Sequence, residues 1–503
     1  MKTTMKQFKI YLVLMALSLT LCSFVAACSG DDAESVTPEV IIPENILNAG
    51  MTFSKDGGTI SLNIKSNVAL EVISSASDWC KVTPETSASS TIFKYAVTAE
   101  PNTDTNDREA VITVKADGNE VGHFSVVQAR GEGDSMGSDA KTLAAQMYAG
   151  INIGNTLEVP GNETAWGNPK VSKAYIDGLK KLGFNAVRIP CAWDSYIINQ
   201  TSYEIDAAWL DRVSEVVGYC VANDMYAIVN IHWDGGWLEE SVVNGYSSKV
   251  DAKQKALWTQ IATKLNAYDE HLLFAGCNEP GQQAQDKVDA SVVKIIIAYE
   301  QTFIDAVRAT GGNNARRCLI VQGPYTNIDK TVKEYTMPVD VVPDRLMVEV
   351  HFYDPYQFTM MNHDENWGKV FLYWGKDNHV AGSIHNATAY EEDYVKEQFQ
   401  KMKAAYVDKG IPVIVGEYSA MKRTKTDKID GTSGLAYSDI DEEMHNKSRA
   451  YWNEVVTREA KNHGCVPFYW ETGGDMERTS GKAKEAYAID GVMKGAKEGK
   501  YPY

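Results

Sequence analysis

Between Asn45 and Arg130, apolar and polar side chains alternate in short runs: "GTISLNI", "ALEVIS", "IFKYAV", "AVITV" and "HFSVVQ", separated by "KDGG", "EPNTDTND" and "ADGNE". Successive residues of a strand face opposite ways, so period-two runs bounded by Asp-Gly turns predict antiparallel strands, and together a small immunoglobulin-like β-sandwich over 45–130. The stretch "GEGDSMGSDAKT" has no apolar periodicity and is enriched in glycine and serine, which predicts a linker over 131–142. From Leu143 to Tyr503 the pattern changes. Apolar runs recur at "YAGINIG", "NAVRIP", "YAIVNIH", "HLLFAGC", "CLIVQG", "LMVEVHF", "IPVIVGE" and "VPFYW". Between them lie stretches of helical spacing, such as "KAYIDGLKKLG" and "AAWLDRVSEVVGYCVAND", that close in Gly or Asp as helix stops do. Eight strands alternating with helices over roughly 360 residues predict an α/β fold, a (β/α)8 TIM barrel with long loops spanning 143–503. A doubly wound open sheet is the runner-up, but no GxGxxG follows the first strand and there is no P-loop.

The first residues belong to neither domain. Lys2, Lys6 and Lys9 precede the apolar run Ile10–Cys22, which has the length and flank of a secretory signal and is short for a membrane span. "VAAC", Val25–Cys28, sets small residues before a cysteine and resembles a bacterial lipoprotein signal. The resemblance implies cleavage before Cys28 and lipidation of its thiol; an ordinary signal cleaved near "AAC" is the alternative. The acidic "SGDDAE" that follows resembles the export tags of surface-exposed lipoproteins. Residues 1–28 are thus expected to be a lipoprotein signal and 29–44 a linker. The chain is expected at the outer membrane, facing the cell surface and touching the membrane through its lipid alone.

Charge narrows the partners. The 67 acidic residues outnumber the 49 basic ones, giving a net charge of −18, which repels phosphate backbones and excludes a general nucleic-acid binder. A neutral polymer is indifferent to that charge. Of the eight cysteines, Cys22 and Cys28 fall in the leader; Cys80, Cys191, Cys220, Cys277, Cys318 and Cys465 are scattered through apolar segments without CxxC spacing, so buried free thiols are expected. The nine histidines show no HExxH spacing and there is no GxSxG elbow, so neither a catalytic metal, nor a cofactor, nor a serine nucleophile is expected. A monomer is the expected state.

The active-site face of such a barrel lies at the C-terminal ends of its strands. Strand two ends at Arg188, strand three at His232, strand four at Asn278 and Glu279, strand six at His351 with Tyr353, strand seven at Glu417 and strand eight at Trp470. A lone glutamate after a strand is usually a solvated loop residue, but six strand ends carrying this set toward one rim is not a chance arrangement. Strands four and seven face each other across the mouth, which brings two carboxyls to a space the width of a sugar ring. Glycoside hydrolysis needs that pair, one acid to protonate the leaving oxygen and one carboxylate to meet the anomeric carbon. Arg188 and Tyr353 are placed to donate to Glu417 and keep it ionised; Glu279, beside neutral Asn278, is placed to hold its proton. Asn278 suits a sugar 2-hydroxyl, His232 and His351 can orient the carboxyls, and Trp470 offers a flat face to the reacting ring.

These residues carry a family resemblance. "GFNAVRIP", "IHWD", "NEP", "HFY", "GEY" and "FYW" resemble, in order, the motif series of glycoside hydrolase family 5, from about Leu143 to the end. "INIGNTLE" and "ETAWGNPKVSKAYID" resemble its fourth subfamily, mostly endo-β-1,4-glucanases acting on xyloglucan, mixed-linkage glucan or cellulose derivatives. The resemblance implies that Glu279 is the acid/base and Glu417 the nucleophile of a retaining enzyme. It also implies that Arg188, His232, Asn278, His351, Tyr353 and Trp470 fill the other recurring positions. Trp233 stands where many relatives have a second histidine, and Glu471 where Asp-Asn is common. The sandwich, with Trp79 after "SASD" and the terminal "FSVVQAR", resembles the BACON domain, which implies a glycan binder or a spacer. The spacer is favoured because only Trp79 and Tyr95 offer aromatic surface.

Trp166, Trp193, Trp233, Trp237, Tyr356 and Trp374 fall in loops after strands, where aromatic faces stack on sugars in an open cleft; about half are expected to touch ligand and the rest to be core. The expected partner is a β-glucan. Two further readings stay open: an endo-β-mannanase or xylanase of the same family, and a non-catalytic glycan-binding lipoprotein.

Overall fold

The structure is a computed structural model describing residues 37–503 except 56, 90, 103–105, 130–134 and 429–433. The apolar run read as a secretory signal, Cys22 and Cys28, the expected lipidation site, lie outside the described residues. The chain divides into two units after Gly133.

In the first unit, two four-stranded sheets pack into a sandwich. One sheet is ordered Val40–Ile41, Gly58–Ser66, Ile92–Ala99, Cys80–Ser89; the other Met51–Phe53, Asn119–Gln128, Arg108–Ala116, Leu70–Ser74. All five runs that alternate in the sequence are strands. Leu62 and Ile64 are buried while Ser61, Asn63 and Lys65 on either side of them are exposed, which is the alternation itself. Val40–Ile41 and Met51–Phe53 are too short to show a period, and Cys80–Ser89, "CKVTPETSAS", is too polar to show an apolar one. Val40 pairs with Ser66, so the sandwich begins inside the 29–44 segment read as a linker. Trp79 and Tyr95 are both core: the Arg108 guanidinium covers Trp79 at 4.4 Å, and the Tyr95 hydroxyl donates to the Leu70 carbonyl. Among the described residues of the sandwich, no Phe, Tyr or Trp side chain is exposed.

The second unit is a closed parallel barrel, which excludes the open sheet. Its strands are Gly150–Asn152, Ala186–Ile189, Tyr226–Asn230, Leu272–Ala275, Leu319–Gln322, Leu346–His351, Val413–Tyr418 and Cys465–Tyr469, and the first pairs with both the second and the last. The helices begin and end where short polar residues and glycine place them. Ser172 accepts the Tyr175 N–H to start Lys173–Leu182, and Gly183 at φ 108° stops it; Asp289 caps Ala290–Ala309 in the same way.

Inside the barrel, alternate residues form layers. The lower layers are apolar, with Ile228, Leu273, Ile320, Met347, Ile414 and Val466 in one cluster. Toward the C-terminal ends of five of the strands the interior turns polar and stays buried, at Asn152, Arg188, Asn230, Gln322 and Glu349. Helix Ala140–Gln146 joins the lower cluster through Leu143 and Ala144, and Met147 just past its end joins it too. The 131–142 linker is therefore corrected over its described residues, 135–142. Ser138 donates through its main chain and its hydroxyl to Glu270, at 2.9 and 2.7 Å, and these residues are part of the barrel unit. Ser138 is spent on Glu270, and Asp139 caps the helix by accepting the Thr142 N–H.

Strands six and seven end in a register shift that pairs His351 with Glu417. A bulge of this kind re-aims side chains at a strand end. Gly416 makes the approach possible, because a Cβ there would sit 1.8 Å from Glu349 Oε1.

Candidate active site

At the polar end of the barrel five charged side chains meet. Arg188 is fully buried: Nη1 donates to Glu417 Oε1 at 2.9 Å and Asn152 Oδ1 at 3.0 Å, Nη2 donates to Asn278 Oδ1 at 2.7 Å, and Nε pairs with Glu349 Oε1 at 3.0 Å. The Tyr353 hydroxyl donates to Glu417 Oε2 at 2.9 Å. His351 spans the centre, with Nδ1 2.7 Å from Glu279 Oε1 and Nε2 3.3 Å from Glu349 Oε1. Glu279, His351 and Glu417 each place one atom within 4.8 Å of the others. Asn278 spends its oxygen on Arg188, so its amide N–H groups are oriented toward the cleft side, as a hydroxyl ligand needs.

Two cations, Arg188 and His351, face three carboxyls. Burial opposes the charge on His351, but Glu417, Glu279 and Glu349 outweigh it and push the imidazole up to about 10. Burial also opposes the charge on Glu349, yet Arg188 and His351 hold it below the ordinary carboxylate range. Burial raises the Glu417 carboxyl, against the pull of His351 and Arg188. The sequence reading counted the donors to Glu417 and left out this cost of burial. A protonated His351 that donates to two carboxylates has no lone pair for a metal, although the trio's spacing would admit one.

This electrostatics sets an acid limit. If Glu417 must be ionised to react, kcat/KM falls as pH drops through its raised titration, above the ~4.3 of a free glutamate. A pH profile of kcat/KM with a soluble aryl cellobioside checks this. Glu417 loses the cation that most favours its ionised form in His351→Asn, so that limb moves further toward neutral pH; a wild-type limb below the free-glutamate value contradicts the assignment.

The cleft itself is a cavity of about 280 Å³. Trp470 is half-buried in its wall, and the His232 ring lies parallel to it at 5.7 Å and 6°. Burial, then Arg188 and His351, hold His232 well below its ordinary range, so it is neutral. Trp233 lines the cleft with 38% exposure. Tyr356 is exposed and 6.2 Å from exposed Trp367, on the loop that also sends Met360 into the cleft. Trp166 is exposed after the first strand but does not line this cavity.

Two of the six loop aromatics are corrected outright. Trp193 and Trp374 are fully buried, their indole N–H groups spent on the Asn230 and Tyr390 carbonyls. Trp237 is half-buried, bonded to Asp234 and covered by Lys253 at 4.3 Å. Glu471 folds its own loop, accepting N–H groups from Gly473, Asp475 and Met476 and pairing with Arg478 at 2.8 Å.

Sequence reasoning missed Asn152, Glu239, Glu349 and Trp367. Glu349 had a signal, a charged residue inside "LMVEVH" two positions before His351 and so on the same face. Glu239 had none, because it lies in a loop. A larger hollow of about 540 Å³ beside Tyr196 and Trp209 holds no comparable chemistry, since Arg212 already engages Glu163 and Glu215 there.

Comparison with known proteins follows the same division. The family model described as cellulase (glycosyl hydrolase family 5) matches residues 151–475, and the BACON model matches residues 68–129. The chain is 34% identical to the xyloglucan-specific endo-beta-1,4-glucanase BoGH5A of Bacteroides ovatus, over 96% of each chain. It is also 34% identical to endoglucanase A of Paenibacillus barcinonensis, over 66% of this chain and 82% of that one. Among solved structures, the Bacteroides ovatus GH5 xyloglucanase in complex with a XXXG heptasaccharide superposes with a TM-score of 0.64 at 30% identity, covering 91% of this chain and all of the other. A GH5-4 broad-specificity endoglucanase from Bacteroides salanitronis superposes with a TM-score of 0.61 at 32% identity, covering 72% of this chain and 97% of that one.

Proposed function

Since this chain belongs to glycosyl hydrolase family 5, we propose that it is a retaining endo-β-1,4-glucanase in which Glu279 is the acid/base and Glu417 the nucleophile. The observation that carries this reading is the spacing of the two carboxyls, with oxygens within 4.8 Å. Retaining glycosidases hold their carboxyls about 5 to 5.5 Å apart, whereas inverting ones need about 6.5 to 9.5 Å to admit a water.

In the first step a Glu417 oxygen bonds to the anomeric carbon of the bound glucosyl unit, while Glu279 gives its proton to the departing glycosidic oxygen. Arg188 and Tyr353 each hold one Glu417 oxygen, which fixes the line of attack. In the second step Glu279 takes a proton from water, the water oxygen bonds to the anomeric carbon, and the Glu417 ester breaks. Two inversions give net retention. His351 keeps its charge throughout and steadies whichever carboxyl is ionised. Asn278 donates to the 2-hydroxyl, a contact that strengthens in the transition state, and Trp470 underlies the ring.

The names of the relatives support β-1,4-glucans as substrates, xyloglucan first. The lysine-flanked apolar leader and "VAAC" support export, lipidation at Cys28 and display on the outer membrane, with the sandwich as a spacer rather than a second binding site. Its buried Trp79 and Tyr95 support the spacer role. Reducing-end release on xyloglucan, mixed-linkage β-glucan, carboxymethyl cellulose, glucomannan and xylan, measured in parallel, tests the substrate. Xyloglucan is expected to be cut fastest; preference for mannan or xylan would move the enzyme to another backbone, and silence on all five would contradict hydrolysis.

A further inference from the structure

Glu239 enters the cleft from the loop after the third barrel strand, within "HWDGGWLE". It is buried, and Oε1 accepts the main-chain N–H of Glu279 at 2.5 Å. Its carbonyl accepts the Gly281 N–H at 2.9 Å, so Glu239 holds the chain on both sides of Pro280. Asn278 and Glu279 lie past Ala275, the last residue of the fourth strand, where no ladder hydrogen bond fixes the backbone. The loop that carries Glu239 is itself braced. Asp234 accepts the N–H groups of Trp193 and Asp194 and the Trp237 indole, all at 2.8 to 3.0 Å.

We propose that Glu239 is a positioning residue for the acid/base carboxyl: by gripping the Glu279 main chain from the wall of the cleft, it fixes the point from which Glu279 delivers its proton. This rests on the reading of Glu279 as acid/base. The grip adds no charge near neutral pH. Glu239 faces Glu279 from strand four, Glu417 from strand seven and His351 from strand six, while Glu240 beside it bonds the Trp233 indole. Burial, then the charge of Glu279, pushes Glu239 up to about 8. A neutral acid can accept the N–H without setting another negative charge against the proton that Glu279 must carry.

A displaced general acid harms poor leaving groups and spares good ones, a pattern that a general loss of structure does not produce. The test compares kcat/KM on a β-glucan, whose leaving group is a sugar hydroxyl, with kcat/KM on a dinitrophenyl cellobioside, which needs no protonation. Glu239→Leu keeps the volume and removes the acceptor; it lowers the first by about 10²-fold, the cost of an ångström-scale misplacement, and leaves the second within about threefold. Glu239→Gln keeps acceptor, donor and neutrality, and holds both within about threefold. Should the leucine variant not fold, Glu239→Asp withdraws the acceptor by one methylene and shows the same selective loss in smaller degree. Equal losses on both substrates, no loss on either, or a glutamine variant as impaired as the leucine one would overturn the proposal. Glu279→Ala is measured alongside; if it lacks the selectivity, the acid/base assignment fails rather than the grip.

Discussion

Replacement of Glu417 by alanine abolishes turnover, with kcat down by at least about 10⁴-fold on polymer and aryl glycoside alike, while the glucan still binds. The two substrates suffer together because the lost bond is the one both need, from Glu417 to the anomeric carbon. The fold survives the substitution. Glu417 is a carboxyl that burial disfavours, and after its removal Arg188 keeps Glu349 at 3.0 Å as a partner. Added azide fills the space and attacks from the same face in one displacement, so the product is an α-glycosyl azide. Steady-state kinetics, a binding isotherm and the anomer of the azide adduct together check this result. An alanine variant that hydrolyses at the parental rate would remove Glu417 from the chemistry.

Glu279→Ala behaves differently, and the difference separates the two carboxyls. Loss of a general acid costs about 10²- to 10⁴-fold where the leaving group needs its proton. Cleavage of glucan falls by that factor, whereas kcat/KM on a dinitrophenyl cellobioside stays near the parental value because the phenolate leaves unaided. The second step still lacks its base, so the glycosyl ester on Glu417 accumulates and the phenolate appears in a burst. Azide relieves that step without proton transfer and yields the β-glycosyl azide. Opposite anomers from the two variants are expected from carboxyls on opposite faces of the sugar, and the same anomer from both would contradict it.

Much of the barrel was legible because its strands are apolar runs closed by chemistry. Each of the eight runs is a strand, and Arg188, His351 and Glu417 sit at strand ends whose side chains converge. Of the polar interior layer only the Arg of "AVRIP" was read; the Asn of "GINIG", the Gln of "LIVQG" and the Glu of "LMVEVH" carried the same signal unread. A single polar residue in an apolar strand, at or near its C-terminal end, marks the level at which the core becomes a site. Loops escaped this reading. Tryptophan after a strand can roof the core, as Trp193 and Trp374 do, or face the cleft, as Trp233 does, and no period tells them apart. Glu239 acts on a residue forty positions away through one side-chain-to-backbone contact, which composition and spacing do not encode. Charge balance escaped as well, since burial of Glu417 appears only once the barrel has closed around it.

The most direct test of the central claim is to trap the covalent intermediate and locate it. A deoxyfluoro cellobioside with a dinitrophenolate leaving group forms the glycosyl ester quickly and hydrolyses it slowly, and peptide mass mapping finds the carboxyl that carries the sugar. One adduct per chain is expected, on the peptide of "VIVGEY" at Glu417. An adduct on Glu279 or any other residue, or steady turnover of the fluorosugar with no adduct, would contradict it.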